Sequence, residues 1–287
     1  MRRRRRLAKL LEGKPLAQNL KEEIKSEVSS LKKKPVLASI QVGDNAGAQA
    51  YVKSQKKTAE TLGIDYQFHK LSQDTTEPSL IEFIQKLNSD KSVNGIIIQM
   101  PLPTQVDYKK ISQFISPDKD AEGMHPANIG KIVFGKANIL PCTPAAVMEL
   151  LNSTGVNLYG KEVVVVGHSE IVGKPLALLL LDKFATVTIC HIGTSQAGKL
   201  EEHVRKAEVL VVAVGKAGLI KGEWIKEGAI VVDVGINRIG DKIVGDVEFE
   251  TAEKRAAYIT PVPGGVGPLT VTMLMRNVVE AAKLQQE

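Results

Sequence analysis

Strand-like and helix-like segments alternate along almost the whole chain, and this alternation constrains the fold more than any other feature. The strand-like segments are Pro35–Val42, Asp65–Leu71, Gly95–Gln99, Glu162–Val166, Thr186–Cys190, Val209–Val214 and Ala229–Val234. Apolar residues at helical spacing fill the stretches Lys14–Lys32, Ala48–Leu62, Glu77–Ser89, Pro144–Asn152, Lys174–Lys183, Leu200–Lys206 and Thr270–Lys283. This succession predicts an α/β fold built on doubly wound parallel sheets with right-handed crossovers.

Two proline-containing segments divide the chain. Pro141-Cys142-Thr143-Pro144 precedes the second set of strands, and we predict Thr143 as the N-cap of the helix that follows. Pro261–Pro268 precedes the last helix, which is free to return to the first domain. We therefore predict one domain from residues 7–140 with 266–287, a second from residues 141–265, and a basic tail at residues 1–6.

The net charge of +6 invites a nucleic-acid interpretation, but Arg2 to Arg6 account for five of those charges and leave +1 for the remainder. The six Phe, five Tyr and one Trp are too few for a base-stacking surface. The apolar runs, Ala177–Leu181 among them, are far shorter than a membrane span. These observations predict neither a nucleic-acid partner nor a membrane.

Two cysteines, Cys142 and Cys190, cannot form a disulfide framework or a zinc cluster by themselves. No apolar stretch with a small-residue cleavage site follows the basic start, so it does not resemble a secretory signal. We expect a cytoplasmic protein. His125 and His191 lack the spacing of metal ligands and are interpreted as structural, so no metal site is predicted.

A glycine-bearing turn from Gly167 to Pro175 joins a predicted strand to a predicted helix. Such a turn lets backbone amides and the helix N-terminus face a pyrophosphate. Gly167 allows the chain to turn tightly as it leaves the strand, and Gly173 allows the helix to approach the ligand closely. The spacing differs from the usual G-x-G-x-x-G, so the turn alone is equally consistent with an ordinary connection. The parallel strands around it favour the nucleotide interpretation.

The segment after the next strand distinguishes the two nicotinamide cofactors, because an acidic residue there binds ribose hydroxyls and an Arg accommodates a 2′-phosphate. Here it reads Cys190-His191-Ile192-Gly193-Thr194 and contains neither type. His168 in the turn provides no permanent cation. We therefore expect NAD as the cofactor, with NADP as the alternative.

Several motifs occur in a fixed order along the chain. They are Tyr51-Val52-Lys53-Ser54-Gln55, Gln99-Met100-Pro101-Leu102-Pro103, Asp120-Ala121-Glu122-Gly123, Pro141–Pro144, Gly167–Pro175, Asp233-Val234-Gly235-Ile236-Asn237 and Pro261–Thr270. With this set, the sequence resembles the methylenetetrahydrofolate dehydrogenase/cyclohydrolase family from Lys9 to Lys283. Singly, each motif also has an ordinary structural explanation.

The resemblance implies two α/β domains facing a cleft, the second a Rossmann-like NAD(P)-binding domain, and a homodimer. It implies oxidation of 5,10-methylene-tetrahydrofolate to 5,10-methenyl-tetrahydrofolate, with other one-carbon enzymes as further candidate partners. The implied catalytic residues are Tyr51, Gln55, Gln99 and Glu122. Tyr51, Gln99 and Glu122 also bind the tetrahydrofolate substrate, together with Met100, Pro101, Leu102, Pro263, Gly264, Gly265, Val266 and Gly267. The implied cofactor-binding residues are Gly167, His168, Ser169, Val172, Gly173, Pro175, Ile192, Val214, Gly215, Val234, Gly235, Ile236 and Thr270.

The chain departs from the family pattern at a catalytic position. Bifunctional members carry a lysine four residues after the tyrosine, and they use it to hydrolyse the methenyl product to 10-formyl-tetrahydrofolate. Gln55 stands there, and an amide cannot titrate. Glu122 replaces a usual aspartate, and Ala48 replaces a usual serine. We therefore expect a dehydrogenase with weak or absent cyclohydrolase activity.

Two alternatives stay open at the level of sequence. The chain is an ordinary bifunctional enzyme if water or Lys56 substitutes for the missing lysine. It is a non-catalytic folate- or nucleotide-binding partner if neither reaction occurs. The complete Gly167 turn and the complete Pro261–Thr270 loop argue against the non-catalytic alternative.

Overall fold

A computed structural model describes residues 7–286, which form two compact units. Unit I comprises residues 18–142 and 271–286, and unit II comprises residues 7–17 and 143–270. The sequence predicts residues 7–17 as part of the first domain. The structure groups them with unit II because Lys9 and Leu10 pair in parallel with Tyr258 and Ile259. The predicted basic tail, residues 1–6, lies outside the described residues.

The elements of residues 7–286 follow the predicted alternation. The strands are β1 (Lys9–Leu10), β2 (Val36–Val42), β3 (Asp65–Leu71), β4 (Gly95–Ile98), β5 (Glu162–Val166), β6 (Thr186–Cys190), β7 (Val209–Val212), β8 (Ile230–Asp233), β9 (Asn237–Ile239), β10 (Lys242–Val244) and β11 (Tyr258–Ile259). The α-helices are α1 (Gly13–Ser30), α2 (Ala46–Leu62), α3 (Glu77–Ser89), α4 (Tyr108–Ile111), α5 (Pro126–Val133), α6 (Cys142–Ser153), α7 (Gly173–Leu181), α8 (Ile192–Gln196), α9 (Leu200–Lys206), α10 (Phe249–Ala252) and α11 (Gly267–Leu284).

Unit I is built on a parallel sheet with the strand order β3-β2-β4. Every residue of β2 is buried, and its two faces enter different apolar clusters because side chains alternate along a strand. Val36, Ala38 and Ile40 pack with the buried side of α3, whereas Leu37 packs with residues of α1, α2 and α11. Ser39 and Gln41 share the face of Leu37. Polar side chains therefore enter a layer that is otherwise apolar.

Unit II is built on a six-stranded parallel sheet with the order β1-β11-β8-β7-β5-β6. β5 lies between β6 and β7, so the chain leaves β5 toward one neighbour and later returns to its other side. A separate antiparallel hairpin is formed by β9 and β10. This strand order creates a topological switch point at the carboxyl end of β5.

The structure contains elements that the hydrophobic pattern did not predict. β1 and β11 have two residues each, too few to show a periodicity, and α4, α8 and α10 are single turns. The N-cap assignment of Thr143 is wrong, because α6 already begins at Cys142. The predicted α/β class, with two domains and parallel sheets, is confirmed. Within residues 7–286, no helix has both the length and the apolarity to traverse a membrane.

Asn277 connects α11 to two other backbone segments of unit I, at Ala121 and Leu140. Its Nδ2 donates to the carbonyls of Ala121 and Leu140 at 2.9 and 2.7 Å, and its Oδ1 accepts from the Leu140 N–H at 3.3 Å. We expect Asn277→Ala to lower the free energy of unfolding by about 1–3 kcal/mol, because buried carbonyls lose their donors. Urea unfolding measures this loss, with Lys25→Ala at an exposed position of α1 as the control. If Asn277→Ala and Lys25→Ala have the same free energy of unfolding, the Asn277 hydrogen bonds do not stabilise unit I.

Candidate active site and nucleotide site

Gln55 and Gln99 meet in a buried hydrogen-bond network of unit I. Gln55 lies on α2 with an exposed fraction of 0%, and Gln99 follows β4. The Oε1 atom of Gln55 accepts from Gln99 Nε2 at 2.8 Å and from the Tyr66 hydroxyl at 2.9 Å. Gln99 Nε2 also donates to the Ser39 hydroxyl at 3.0 Å. The amide of Gln55 is thereby held as an acceptor.

The amide nitrogen of Gln55 differs from the amide oxygen in its hydrogen bonding. Among the described residues, nothing accepts a hydrogen bond from its buried Nε2 atom. Leaving such a donor unsatisfied costs about 1–3 kcal/mol. Burial also raises the pKa of the neighbouring Tyr66 to about 12, so its hydroxyl stays protonated at neutral pH. None of the four side chains in this network changes its charge near pH 7.

The remaining folate-side predictions lie at more open positions of unit I. Tyr51, one helical turn before Gln55, is 40% exposed, and Met100 and Pro101 are exposed just after Gln99. Leu102 is half-buried against the α3 side of the core. Lys56 and Lys57 are exposed, whereas Gln55 is buried. The two lysines therefore occupy a different face of α2 from the network.

Glu122 is partly buried in a separate part of unit I. Its Oε2 accepts from the Tyr108 hydroxyl at 3.0 Å. Burial raises the pKa of Glu122 to about 7, and the Asp120 charge acts in the same direction, while the Tyr108 hydrogen bond opposes them. Gly123 follows at φ +71°, where a Cβ would lie 2.3 Å from the Leu140 carbonyl carbon. The glycine after Glu122 is thus required by close backbone packing.

Ser39, Tyr66 and Tyr108 belong to these networks but were not predicted from the sequence. Ser39 carried a signal, since a hydroxyl in the middle of an apolar parallel strand needs a partner. Tyr66 and Tyr108 carried none, because their partners are distant in sequence. The structure joins Gln55 to Gln99 and gives Glu122 a different partner.

In unit II, a cavity of about 290 Å³ lies at the switch point of the sheet. Its walls come from the ends of three adjacent strands: Val166 and Gly167 at β5, His191 after β6, and Ala213 and Val214 after β7. Ligands of open α/β sheets bind in such a crevice beyond the carboxyl ends of the strands. We therefore regard this cavity as the candidate nucleotide site.

Two glycines shape the turn beside the cavity. Gly167 has φ +121°, and a Cβ there would lie 2.2 Å from the Ala213 carbonyl oxygen. A Cβ on Gly173 would lie 2.0 Å from the Gly167 oxygen. Any larger residue at either position would push the turn away from the sheet. The turn therefore has the close approach that pyrophosphate binding requires.

The cavity contains part of the predicted cofactor set and three further polar residues. Gly167, His168, Ser169, Ile192 and Val214 line it, whereas Val172, Gly173, Pro175, Gly215, Val234, Gly235, Ile236 and Thr270 do not. His191, Ser195 and Lys216 line it in addition. Lys216 adds a cation to this cavity that the sequence did not predict there. Its signal was weak, since the lysine lies four residues beyond β7.

Two buried carboxylates hold the loops after β7 and β8. Asp246 accepts from the N–H groups of Val214, Gly215 and Lys216 at 2.7, 2.9 and 2.8 Å. Asp233 accepts from the N–H groups of Gly235, Asp246 and Val247 at 2.9, 3.1 and 2.8 Å. A Cβ on Gly235 would lie 2.2 Å from the Asp246 carboxyl carbon. The predicted residues Val214, Gly215 and Gly235 thus belong to one bonded assembly.

The predicted loop Pro263, Gly264, Gly265, Val266 and Gly267 belongs to unit II and packs against the start of α1. The Gly13 N–H donates to the Gly264 carbonyl at 2.8 Å. A Cβ on Gly13 would lie 1.8 Å from the Gly265 oxygen. The start of α1 can therefore approach this loop only because position 13 is a glycine. No residue of this loop lines the 290 Å³ cavity. Its predicted contact with substrate stays a prediction.

Comparison with known proteins places these two sites in a family. The profile of the tetrahydrofolate dehydrogenase/cyclohydrolase catalytic domain matches residues 11–122, and that of the family's NAD(P)-binding domain matches residues 141–286. This chain belongs to the tetrahydrofolate dehydrogenase/cyclohydrolase family. The resemblance inferred from the motifs is thereby confirmed. Unit II carries the NAD(P)-binding domain of this family.

Individual members of the family agree over nearly the full length. "Bifunctional protein FolD" of Bacillus pumilus is 51% identical over 280 residues, covering 96% of this chain and 98% of that protein. The crystal structure of the bifunctional enzyme FolD from Campylobacter jejuni has 45% identity and a TM-score of 0.93, covering 96% and 99% of the two chains. The Trypanosoma brucei FolD structure, complexed with NADP and an inhibitor, has 38% identity and a TM-score of 0.93, covering 98% and 99%. The names of these relatives do not support a family member with the dehydrogenase activity alone.

The raised pKa of Glu122 makes the stability of this protein depend on pH. Its folded pKa, about 7, exceeds the ordinary 4.5, so its protonated form stabilises the fold. That contribution is fully present below about pH 4.5 and is lost as the pH rises through about 7. We expect Glu122→Gln to remove this part of the pH dependence.

Urea unfolding of both proteins at several pH values between about 4.5 and 8 measures the difference. The stability of the variant relative to the unmodified protein is expected to increase as the pH rises. Glu60→Gln, at an exposed position of α2, is the matched control. A stability difference that does not change with pH would show that Glu122 ionises as an exposed carboxyl does.

Proposed function

We propose that this protein oxidises 5,10-methylene-tetrahydrofolate to 5,10-methenyl-tetrahydrofolate with NAD. The observation that carries the proposal is the cavity at the switch point of unit II, formed by Gly167 and the loop ends beside it. Family membership and the Gln55–Gln99 network of unit I support it. The folate nitrogens stabilise the cation that is left when hydride departs, so the step requires positioning rather than a side-chain base.

The residues present fit a nicotinamide dinucleotide. The cavity offers hydroxyl and imidazole groups beside apolar walls, and Gly167 and Gly173 keep the turn close to the sheet. Asp246 fixes the Val214–Lys216 wall, so this wall keeps its shape without a ligand. The cofactor, when bound, supplies the hydride acceptor. The protein supplies orientation and excludes water.

The preference for NAD rests on the residues at the ribose end of the cavity. Family members that use NADP commonly place an Arg in the turn and a Ser after the second strand, and this chain has His168 and Ile192 there. Ile192 is 68% exposed and offers no hydrogen bond from its side chain. Lys216 is the fixed cation among the residues that line the cavity. We propose that a single lysine does not compensate for the Arg and the Ser near neutral pH.

The rate of the cyclohydrolase reaction distinguishes two candidate functions. The names of the relatives favour a bifunctional enzyme that also forms 10-formyl-tetrahydrofolate. The residue at position 55 favours weak cyclohydrolase activity, because hydration and ring opening require proton transfers to and from a positioned titratable group. Gln55 cannot exchange a proton, and its Oε1 is already occupied by two donors. We propose that hydrolysis is slow compared with oxidation.

The bifunctional alternative depends on another group replacing the lysine. Lys56 is exposed on a different face of α2 from the buried network, which argues against direct replacement. A water molecule beside Gln55 Nε2 is the remaining route, since that donor lacks a partner among the described residues. The non-catalytic alternative is disfavoured by the names of the relatives, which are described as bifunctional. A homodimer, contacts with other one-carbon enzymes and a cytoplasmic location remain predictions of the sequence.

The dehydrogenase proposal predicts cofactor reduction that depends on methylene-tetrahydrofolate. With purified protein near pH 8, we expect kcat/KM to be at least about tenfold higher with NAD than with NADP, corresponding to about 1.4 kcal/mol. The rate is measured by the absorbance of the reduced nicotinamide. Gly173→Val, which pushes the turn away from the sheet, is expected to abolish the rate while unit I stays folded. Absence of reduction with either cofactor would reject the proposal, and equal efficiencies would reject only the preference.

The Gln55 proposal predicts that Gln55→Lys increases the hydrolysis of methenyl-tetrahydrofolate. The introduced ammonium would lie beside the Ser39 and Tyr66 hydroxyls, and a flipped Gln99 amide would offer it an acceptor. A general acid–base contribution of about 10²–10⁴-fold sets the upper range of the gain. The enzyme-dependent decay of methenyl-tetrahydrofolate, corrected for spontaneous hydrolysis, is the measurement.

Lys56→Gln is the matched control for this experiment. It is expected to leave the slow hydrolysis unchanged, because Lys56 lies outside the network. If the unmodified protein hydrolyses the methenyl compound as fast as it forms it, the bifunctional alternative is correct. If Lys56→Gln then abolishes that hydrolysis, Lys56 is the replacing group.

A further inference from the structure

The two carboxylate oxygens of Glu122 have different surroundings. Oε2 accepts a hydrogen bond from the Tyr108 hydroxyl at 3.0 Å. Oε1 accepts no hydrogen bond from any residue in the described part of the chain. Glu122 is only partly buried, and Oε1 is not enclosed by protein atoms. One oxygen of this carboxylate is therefore left for a ligand.

The backbone places Glu122 at the same edge of the unit I sheet as Gln99. Asp120 pairs in parallel with Ile96 of β4, and the Ala121 N–H donates to the Ile96 carbonyl at 3.2 Å. Segments that pair in parallel leave a sheet at the same edge, since both run in the same direction. Glu122 and Gln99 each follow this pairing within a few residues. Both residues therefore lie at the carboxyl edge of β4.

The ring of Tyr108 is fixed by packing and by the anchoring of its helix. It packs against the apolar cluster formed by β2, α3 and β4. Tyr108 begins α4, and Asp107 caps that helix by accepting from the Lys109 N–H at 2.9 Å. The Asp107 N–H donates to Glu77 Oε1 at 3.0 Å, and Glu77 also pairs with Lys110. The start of α4 is thus tied to the start of α3, so the hydroxyl extends from a ring whose position is set.

The neighbouring carboxylate, Asp120, is already occupied by other donors. Its Oδ1 accepts from the Gly123 N–H at 3.1 Å. Its Oδ2 accepts from the His125 N–H at 2.7 Å and from the Asn128 side chain at 3.0 Å. Asp120 therefore holds the loop in place, and Glu122 Oε1 is the carboxylate oxygen that this loop offers to a ligand.

The groups around Glu122 leave its charge to be stabilised by Tyr108. Burial raises the pKa of the Cys142 thiol, and the charges of Glu122 and Asp120 act in the same direction, so this thiol stays neutral. Asn277 Nδ2 lies 3.6 Å from the sulfur. Burial also raises the pKa of Tyr108, and the Glu122 charge adds to this effect, so the hydroxyl remains a donor. Among the described residues, the Tyr108 hydrogen bond favours the ionised form of Glu122, whereas burial and Asp120 oppose it.

We propose that Tyr108 is a positioning residue for the folate substrate, because it holds Oε2 of Glu122 and thereby presents Oε1 as an acceptor to the N–H groups of the pterin ring. This inference rests on the proposed function, in which unit I binds methylene-tetrahydrofolate. The pyrimidine half of the ring carries an amino group beside a ring N–H, and an ionised carboxylate forms strong hydrogen bonds with such donors. A protonated Glu122 would instead offer an O–H to a ring edge that already consists of donors.

Tyr108→Phe removes the hydroxyl and keeps the ring that packs in the core. We expect the KM for methylene-tetrahydrofolate to increase about five- to tenfold, while kcat and the KM for NAD change less than about twofold. Initial rates of nicotinamide reduction measure these constants.

The pH profile separates positioning from a merely structural role. In the unmodified protein, kcat/KM for the folate is expected to increase as the pH rises through about 7, the pKa of Glu122. Tyr108→Phe should move this increase to higher pH, because the hydrogen bond that favours the ionised form is lost. A loss of folded protein alone would lower kcat and leave both KM and the pH profile unchanged.

Two further variants assign the effect to the pair. Tyr159→Phe removes a hydroxyl at an exposed position of unit II and is the matched control, with all constants expected to stay within about twofold. Glu122→Gln is expected to increase the KM for the folate and to abolish the rise of kcat/KM with pH. In that background, Tyr108→Phe should change the KM by less than about twofold, since it acts through the carboxylate.

The outcomes distinguish this inference from the function on which it rests. If the unmodified protein oxidises the substrate and Tyr108→Phe changes neither the KM nor the pH profile, the positioning role is rejected and the function stands. Titration calorimetry with tetrahydrofolate, kept anaerobic, covers the case of a protein that binds folate without oxidising it. The proposed function then fails, and the positioning role requires the Kd to increase about five- to tenfold in Tyr108→Phe, an unchanged Kd rejecting it. If folded protein binds no tetrahydrofolate, both proposals are rejected.

Discussion

Parallel pairing of buried strands is the constraint on which both units depend. In unit I, the Gln99 N–H donates to the Ile40 carbonyl at 2.8 Å, which continues the pairing of β4 with β2 beyond the last strand residue. In unit II, the Gly167 N–H donates to Cys190 at 2.8 Å and the Ala213 N–H donates to Val166 at 2.8 Å. These bonds align the carboxyl ends of adjacent strands at one edge. Side chains just past that edge leave the apolar core and become available for chemistry.

Polar groups at such an edge are buried, and the energetic cost of burial determines how they are arranged. Asp246 has no exposed surface, yet it accepts three backbone N–H groups and the Asn237 side chain at 2.8 Å, which uses its full acceptor capacity. Asp233 is held in a similar way, although burial still raises its pKa to about 6. These carboxylates stabilise loops. The Gln55 amide differs from them, because half of it has no partner within the described residues.

Three of the departures from the pattern that the resemblance implies, at Gln55, Glu122 and His168, concern groups that bear on proton transfer. Gln55 replaces a titrating lysine with an amide that keeps its contacts to Gln99 and Tyr66. Glu122 retains a carboxyl but holds it where burial raises its pKa to about 7. His168 replaces a permanent cation with a ring that lies 5.2 Å from His191. Two of these positions belong to unit I and one to unit II, so the departures occur in both units.

The sequence by itself determined the α/β class and the long elements. Buried parallel strands appear in it as continuous apolar runs such as Gly95–Ile98, and the helices appear as apolar residues at helical spacing. It also determined the family, through motifs that bring particular side chains to strand ends. It could not determine β1 and β11, which exist only because they pair with each other and with β8. Nor could it show Tyr66 and Ser39 around Gln55, Tyr108 on Glu122, or Lys216 and His191 beside His168. Those partners lie far apart in the chain, and a side chain's protonation and hydrogen bonds depend on distance in space, which only the tertiary structure decides.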